Sequence, residues 1–267
     1  MPDRAAAVEV LRRAGSNGEG CAVGHLLASS IDEMDVAGAA TIETRRGKMH
    51  KALFVGIEAE PPHQEDVAEF LRGALEPVEH EPDTRHWYAL RFGPADFAIF
   101  DTFPGNAGRL KHLLGQVGRA LLVKTFTILN GLPEIEPADI LALKLPAADV
   151  QPRLALHVPL EARDGAEEEV AQFLQGARSA VEREPGTLSW YALRLGKTRF
   201  AILDTFADEA GREAHLSGEV GTALSGSAAP LFAEPPQIHR AQILAFKIAS
   251  AGGEQRTSVD ASAAPVA

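Results

Sequence analysis

Trp87-Tyr88-Ala89-Leu90-Arg91 recurs as Trp190-Tyr191-Ala192-Leu193-Arg194, and the two copies hold both tryptophans and both tyrosines of the chain. The spacing of about 103 residues persists without a gap when Ala52 to Lys144 is laid on Ala155 to Lys247, with roughly half the positions identical. Glu81-Pro82 matches Glu184-Pro185, and Asp101-Thr102-Phe103 matches Asp204-Thr205-Phe206. Ala107-Gly108-Arg109 matches Ala210-Gly211-Arg212, and His112-Leu113 matches His215-Leu216. A period this long exceeds a solenoid unit and has the size of a small domain. The expected organisation is an N-terminal extension, residues 1–48, partly disordered, followed by repeat 1 over 49–147 and repeat 2 over 153–250. Residues 251–267, rich in Gly, Ser and Ala, are expected to form a disordered tail.

Within repeat 1, Leu53 to Ala59 reads as a strand that ends at Pro61-Pro62. Val67, Phe70, Leu71 and Ala74 recur at helical spacing with acidic residues in the first turn. Trp87 to Phe92 and Phe97 to Phe103 read as two strands joined by a tight Gly93-to-Asp96 turn. A single helix is expected from about Asn106 to Leu122, and Ile140 to Leu145 reads as the last strand. The order β-α-β-β-α-β, present twice, is the ferredoxin-like arrangement, and the fold class is α+β. Helices cover one face of such a sheet, and the other face needs a partner. The second copy is tethered by a few residues. An internal pseudo-dimer follows, in which two sheets close into one α/β barrel with approximate two-fold symmetry; further oligomerisation stays open.

The formal net charge of -11 argues against nucleic acid as a partner, because phosphate binding needs clustered Lys and Arg. A single cysteine, Cys21, leaves no disulfide framework and no Cys-based metal site. No apolar run approaches the ~18 residues of a membrane span, and the N-terminus lacks the apolar core of a secretory signal. A cytoplasmic protein without membrane contact is expected.

These residues resemble the antibiotic biosynthesis monooxygenase domain of the dimeric α/β barrel superfamily. The resemblance is carried by the turn-then-tyrosine strand Glu184 to Tyr191, by Asp204-Thr205-Phe206, by the helix Ala210 to Leu216, and by the closing strand Ile243 to Lys247. It covers both repeats. It implies an oxidoreductase, a monooxygenase acting with O2 on a small electron-rich aromatic or polyketide-like compound, with no metal, flavin or haem as cofactor. The protein would deprotonate the substrate, orient it and exclude water. A related branch degrades haem through a histidine about ten residues beyond the position of His112. Leu122 and Ser225 stand there in this chain, which departs from that pattern. The alternative is a non-catalytic small-ligand-binding or stress-associated barrel.

Of nine histidines, only His112 and His215 recur in both copies, so they are the candidate catalytic pair, as pocket bases or hydrogen-bond donors. The bland reading is a buried histidine satisfied by a neighbour, for which Glu219 is a candidate. Tyr88 and Tyr191 are the second catalytic candidates, through phenols that orient a substrate oxygen; the alternative is a core tyrosine. Candidate substrate-binding residues are Trp87, Trp190, Arg91, Arg194, Asp101, Asp204, Phe103 and Phe206. Strand alternation puts Trp and Tyr on opposite sheet faces. The hairpin register suggests a cross-strand ion pair between Arg91 and Asp101, and likewise between Arg194 and Asp204. Lys144 and Lys247 read as solvated charges at strand ends, and Arg109 and Arg212 as helix-surface residues.

Overall fold

A computed structural model describes residues 49–146, 151–249 and 255–259. The expectation for residues 1–48 lies outside the described residues, as does most of that for 251–267. Repeat 1 runs β1 (Lys51–Glu58), α1 (Gln64–Gly73), α2 (Leu75–Glu79), β2 (His86–Arg91), β3 (Asp96–Phe103), α3 (Asn106–Leu113), α4 (Gln116–Lys124) and β4 (Glu134–Lys144). Repeat 2 runs β5 (Leu154–Glu161), α5 (Glu167–Glu182), β6 (Thr187–Arg194), β7 (Arg199–Phe206), α6 (Glu209–Leu216), α7 (Glu219–Ser225) and β8 (His239–Ala249). A further strand, β9 (Gln255–Val259), follows.

The strands pair in the order β2-β3-β1-β4-β6-β7-β5-β8-β9, and β2 also pairs with β8. Eight antiparallel strands thus close into a barrel made by both repeats. The last strand of each repeat does the closing. The first half of β4, Glu134 to Asp139, pairs with β1 of its own repeat; the second half, Asp139 to Lys144, pairs with β6 of the other. Likewise β8 joins β5 through His239 to Gln242 and β2 through Gln242 to Ile248. This explains why β4 begins at Glu134 and not at Ile140. Its first half carries Glu134, Glu136 and Asp139, and the apolar run Ile140 to Leu143 that signals a strand is confined to the half-buried second half.

Strand alternation sorts the side chains as the sequence implies. Tyr88, Leu90, Ala98 and Phe100 meet Tyr191, Leu193, Ala201 and Leu203 inside the barrel. Trp87 and Trp190 face the opposite way, into the layers between sheet and helices, beside Leu71 and Leu174 respectively. Near one end of the barrel, Phe54 stacks on His157, which occupies the same repeat position, with ring centroids 4.2 Å apart. Burial, helped by neighbouring His239, pushes the His157 imidazole down to about 4. It is therefore a neutral ring in an aromatic stack at pH 7.

Three local readings need correction. The expected single helix over Asn106 to Leu122 is broken after Leu113, as its counterpart is after Leu216. Gly118 and Gly221 explain the break: a Cβ on either would lie 2.1 Å or 2.2 Å from the carbonyl oxygen of Leu113 or Leu216. In repeat 1 the first helix is also divided, at Ala74, where Pro77 stands three residues on in place of Ala180 and lacks the amide a continuous helix would use. Residues 255–259, expected to be disordered, form β9 on β8. The edge of β8 from Ala245 onward lies past the end of β5 and offers backbone groups for pairing.

Each repeat owns only half of the barrel interior. A chain limited to residues 151–249 should therefore associate into a dimer in analytical ultracentrifugation. A folded, stable monomer of that length would contradict the closure described here.

Candidate active site

His215 projects from α6 towards β7 and meets two carboxylates. Its Nδ1 lies 2.6 Å from Glu184 Oε2, and its Nε2 lies 3.4 Å from Asp204 Oδ2. Thr187 donates its hydroxyl to the same Glu184 oxygen at 2.7 Å and lies 3.1 Å from Nδ1. Repeat 1 builds the same group: His112 Nδ1 is 2.5 Å from Glu81 Oε2, His112 Nε2 is 3.4 Å from Asp101 Oδ2, and Thr84 stands in for Thr187. Both aspartates are buried and both glutamates are about four-fifths buried. Phe206 and Phe103 pack against the imidazoles with centroids 5.5 Å and 5.6 Å away.

Electrostatics set the protonation of this group. Burial alone pushes His215 down, but Asp204 and Glu184 together push it up further, to about 10. Both ring nitrogens face carboxylates, so both carry protons and the ring is an imidazolium at pH 7. Burial pushes Glu184 up, yet the hydrogen bonds from His215 and Thr187 and the charge of His215 hold its carboxyl below the usual range. For Asp204, complete burial outweighs the pull of His215, and the carboxyl is raised. Asp101 behaves alike and is pushed up to about 7 by burial against the pull of His112. His112 is raised too: burial opposes the charge, but Asp101 and Glu81 outweigh it. Of the two expected roles for the histidines, hydrogen-bond donor fits this protonation and free base does not.

The site of each repeat is braced by the other repeat. Lys144, at the end of β4, donates to the carbonyls of Val181 and Glu184 at 2.9 Å and 2.5 Å. Lys247, at the end of β8, donates to Val78 and Glu81 at 2.7 Å each. These lysines are not the solvated charges the sequence suggests; Lys247 is fully buried, and burial pushes it down to about 8. The residue whose side chain holds the histidine is therefore held through its backbone by the opposite closing strand. Arg109 and Arg212 are buried as well, and each donates to a strand carbonyl, Ala138 and Ala241 respectively.

A cavity of about 450 Å³ opens between the sheet and α6–α7. Asp204 and His215 lie in its wall with Leu156, Ile202, Leu224 and Phe232, and Arg163 and Glu234 line it too. The other sequence candidates of repeat 2 lie elsewhere. Tyr191 is inside the barrel, where its hydroxyl meets His86 and lies 3.3 Å from the hydroxyl of Tyr88. His and Tyr are thus on opposite faces of the sheet and do not converge. Trp190 is opposite Asp204 in the β6–β7 register and is fully buried. Arg194 pairs with Glu168 at 2.5 Å, and Arg91 with Glu65 at 2.8 Å. The expected Arg–Asp cross-strand pairs do not form, because the register sets Trp87 opposite Asp101 and Arg91 opposite Phe97.

Sequence reasoning does not single out Glu81 and Glu184, although the repeated Glu-Pro dipeptide marks both. Glu219 pairs with Arg183 instead of His215. Among the described residues no cluster of three or more His, Cys, Asp or Glu is arranged to hold a metal ion, and no helix is long and apolar enough to cross a membrane.

The raised His215 has a stability consequence with a definite sign. Its contribution is complete below the unfolded value near 6.5 and is lost as pH rises through about 10. His215→Gln leaves two buried carboxylates without their counter-charge and should cost about 3–5 kcal/mol at pH 6. In urea denaturation the gap between wild type and variant should narrow from pH 6.5 towards pH 10. A gap that stays constant over that range would contradict a charged ring.

Residues 154–223 match the family model for antibiotic biosynthesis monooxygenase. No curated protein matches this chain in sequence. A "putative monooxygenase" from Fusobacterium nucleatum has a similar structure, with TM-score 0.67 and 12% identity, over 79% of this chain and 99% of that one. An anthrone oxidase-like protein superposes with TM-score 0.52 and 12% identity, over 84% and 98% of the two chains. A protein of unknown function from Nitrosomonas europaea is 43% identical over 38% of this chain and 99% of its own, with TM-score 0.37. Residues 154–223 of the second repeat therefore match the antibiotic biosynthesis monooxygenase domain, and the chain shares its barrel fold with monooxygenase-like structures, the ferredoxin-like unit being present twice in one polypeptide.

Proposed function

We propose that the protein is a cofactor-independent monooxygenase-like enzyme that oxygenates a small, electron-rich aromatic compound in the pocket of repeat 2. One observation carries this reading. Asp204 Oδ1 is buried in the wall of that pocket with no hydrogen-bond partner among the described residues, beside the imidazole of His215. A buried carboxylate oxygen without a donor is costly unless something uses it.

The two groups divide the chemistry. Asp204, raised by burial, is a stronger base than an ordinary carboxylate and takes a proton from an acidic C–H of the substrate. His215 donates from Nε2 to the enolate oxygen that develops, exchanging its long 3.4 Å contact with Asp204 for a shorter bond. Glu184 and Thr187 keep the ring oriented from the other side. The electron-rich carbanion then reduces O2. For a methylene substrate the reaction balances simply: the methylene group and one molecule of O2 become a carbonyl group and one molecule of water. Both C–H bonds and the O–O bond break; the carbon is oxidised, one oxygen atom goes to product, and the other leaves with both protons as water. The apolar wall of Leu156, Ile202 and Leu224 limits water around the carbanion. Tyr191 and Arg194 have no part in this scheme, and Phe206 holds the imidazole from behind.

A non-catalytic ligand-binding barrel is the competing function, favoured by the recurrence of the Glu–His–Asp group in both repeats as a clamp between helix and sheet. Oxygen-electrode measurements with anthrone and naphthohydroquinone separate the two. Enzyme-dependent uptake is expected, with turnover reduced about 100-fold or more in Asp204→Asn. Tight binding of these compounds without oxygen uptake would leave only the binding function.

A further inference from the structure

The wall of the repeat 2 pocket divides into a floor common to both repeats and a rim that is not. Leu156, Ile202 and Leu224 of the floor have Leu53, Ile99 and Leu121 at the same repeat positions. On the rim, Arg163 stands where repeat 1 has Glu60, a reversal of charge. The backbone there is equivalent in the two repeats: the Arg163 amide donates to Leu231 O and the Glu60 amide to Ile128 O, each at 2.9 Å. The difference therefore lies in the side chain and not in the path of the chain.

Arg163 Nε donates to the carbonyl of Phe232 at 2.8 Å, which fixes the guanidinium against the pocket wall and leaves its terminal nitrogens for another acceptor. In this acidic chain, Arg178, Arg183, Arg194, Arg199, Arg212 and Arg240 of repeat 2 each hold a carboxylate. Arg163 holds none among the described residues, although Glu234 lines the same pocket. An oriented cation without a counter-charge, at the edge of an apolar cavity with a second cation in its wall, matches an aromatic ring with an anionic substituent.

We propose that this pocket selects a small aromatic acid, with its carboxylate held by Arg163 at the rim and its ring on the apolar floor, an oxygen directed to His215. The selection rests on this pocket being the substrate site of the preceding subsection. A cavity of about 450 Å³ accommodates a two-ring acid. Glu60 makes the corresponding position of repeat 1 repel the same compound.

Anaerobic titration calorimetry on the full chain with 1-hydroxy-2-naphthoate and its methyl ester measures the selection without turnover. Wild type should bind the acid about 10-fold or more tightly than the ester, in line with a charge-assisted hydrogen bond. Arg163→Gln should bring the ratio close to one with ester affinity unchanged, and Arg163→Lys should retain part of the preference. Equal affinity of wild type for acid and ester, no binding of either, or a preference that survives Arg163→Gln would each overturn the assignment. Acid preference without oxygen uptake from any carbon acid would overturn only the oxygenation reading; uptake without acid preference would overturn only the selectivity.

Discussion

Neither repeat can bury the inner face of its own sheet, and that constraint governs the whole molecule. Helices cover the outer face with Trp87 or Trp190 at the centre of the layer. The inner faces meet only each other. β4 and β8 solve the closure by serving both repeats in succession along one strand, β4 pairing with β1 and then β6, β8 with β5 and then β2. Hydrophobic burial alone would accept several relative positions of two sheets. The backbone ladders between β4 and β6 and between β2 and β8 fix the register, and the register fixes where each functional side chain stands.

The same closure reaches the chemistry. Lys144 ends its strand in repeat 1 with its ammonium on the Glu184 carbonyl of repeat 2, and the Glu184 carboxylate holds His215. Barrel assembly and imidazole placement are thus joined through one residue. The ionic group fixes helix to sheet as well as equipping the pocket, because Glu184 precedes β6, Asp204 lies on β7 and His215 on α6. A clamp of this kind is stable only while its charges balance. Two carboxylates around one imidazolium leave an excess of negative charge, and raising Asp204 relieves it.

What the sequence makes legible follows from how local each signal is. The repeat of Trp-Tyr-Ala-Leu-Arg fixes the duplication, and period-two alternation sends its two rings to opposite faces, as observed. The histidines stand out because only they recur, but their partners do not lie within a helical turn. Glu184 is 31 positions before His215, across a strand and a hairpin, and nothing local to His215 points to it. The Arg–Asp pairing fails for a related reason: the turn between β2 and β3 sets the register, and a shift along the ladder exchanges Arg91 for Trp87 opposite Asp101. β9 is invisible in composition because its order comes from the free edge of β8, not from its own residues.

Duplication within one chain also changes what the pockets are free to become. In a homodimer, both sites carry every substitution. Here the clamp residues are the same in both halves, while Arg163 and Glu60 differ at the rim. The clamp is tied to barrel closure through Lys144 and Lys247, so a change there acts on the fold of both repeats. The rim carries no such burden: Arg163 is exposed, and its side chain donates to a loop carbonyl, that of Phe232. Substitutions that alter recognition can therefore collect at the rim of one repeat without loosening the barrel, and a charge reversal is the largest electrostatic change a single position allows. Identity in the buried clamp and divergence at the exposed rim are what selection on a shared scaffold with separate ligands would leave.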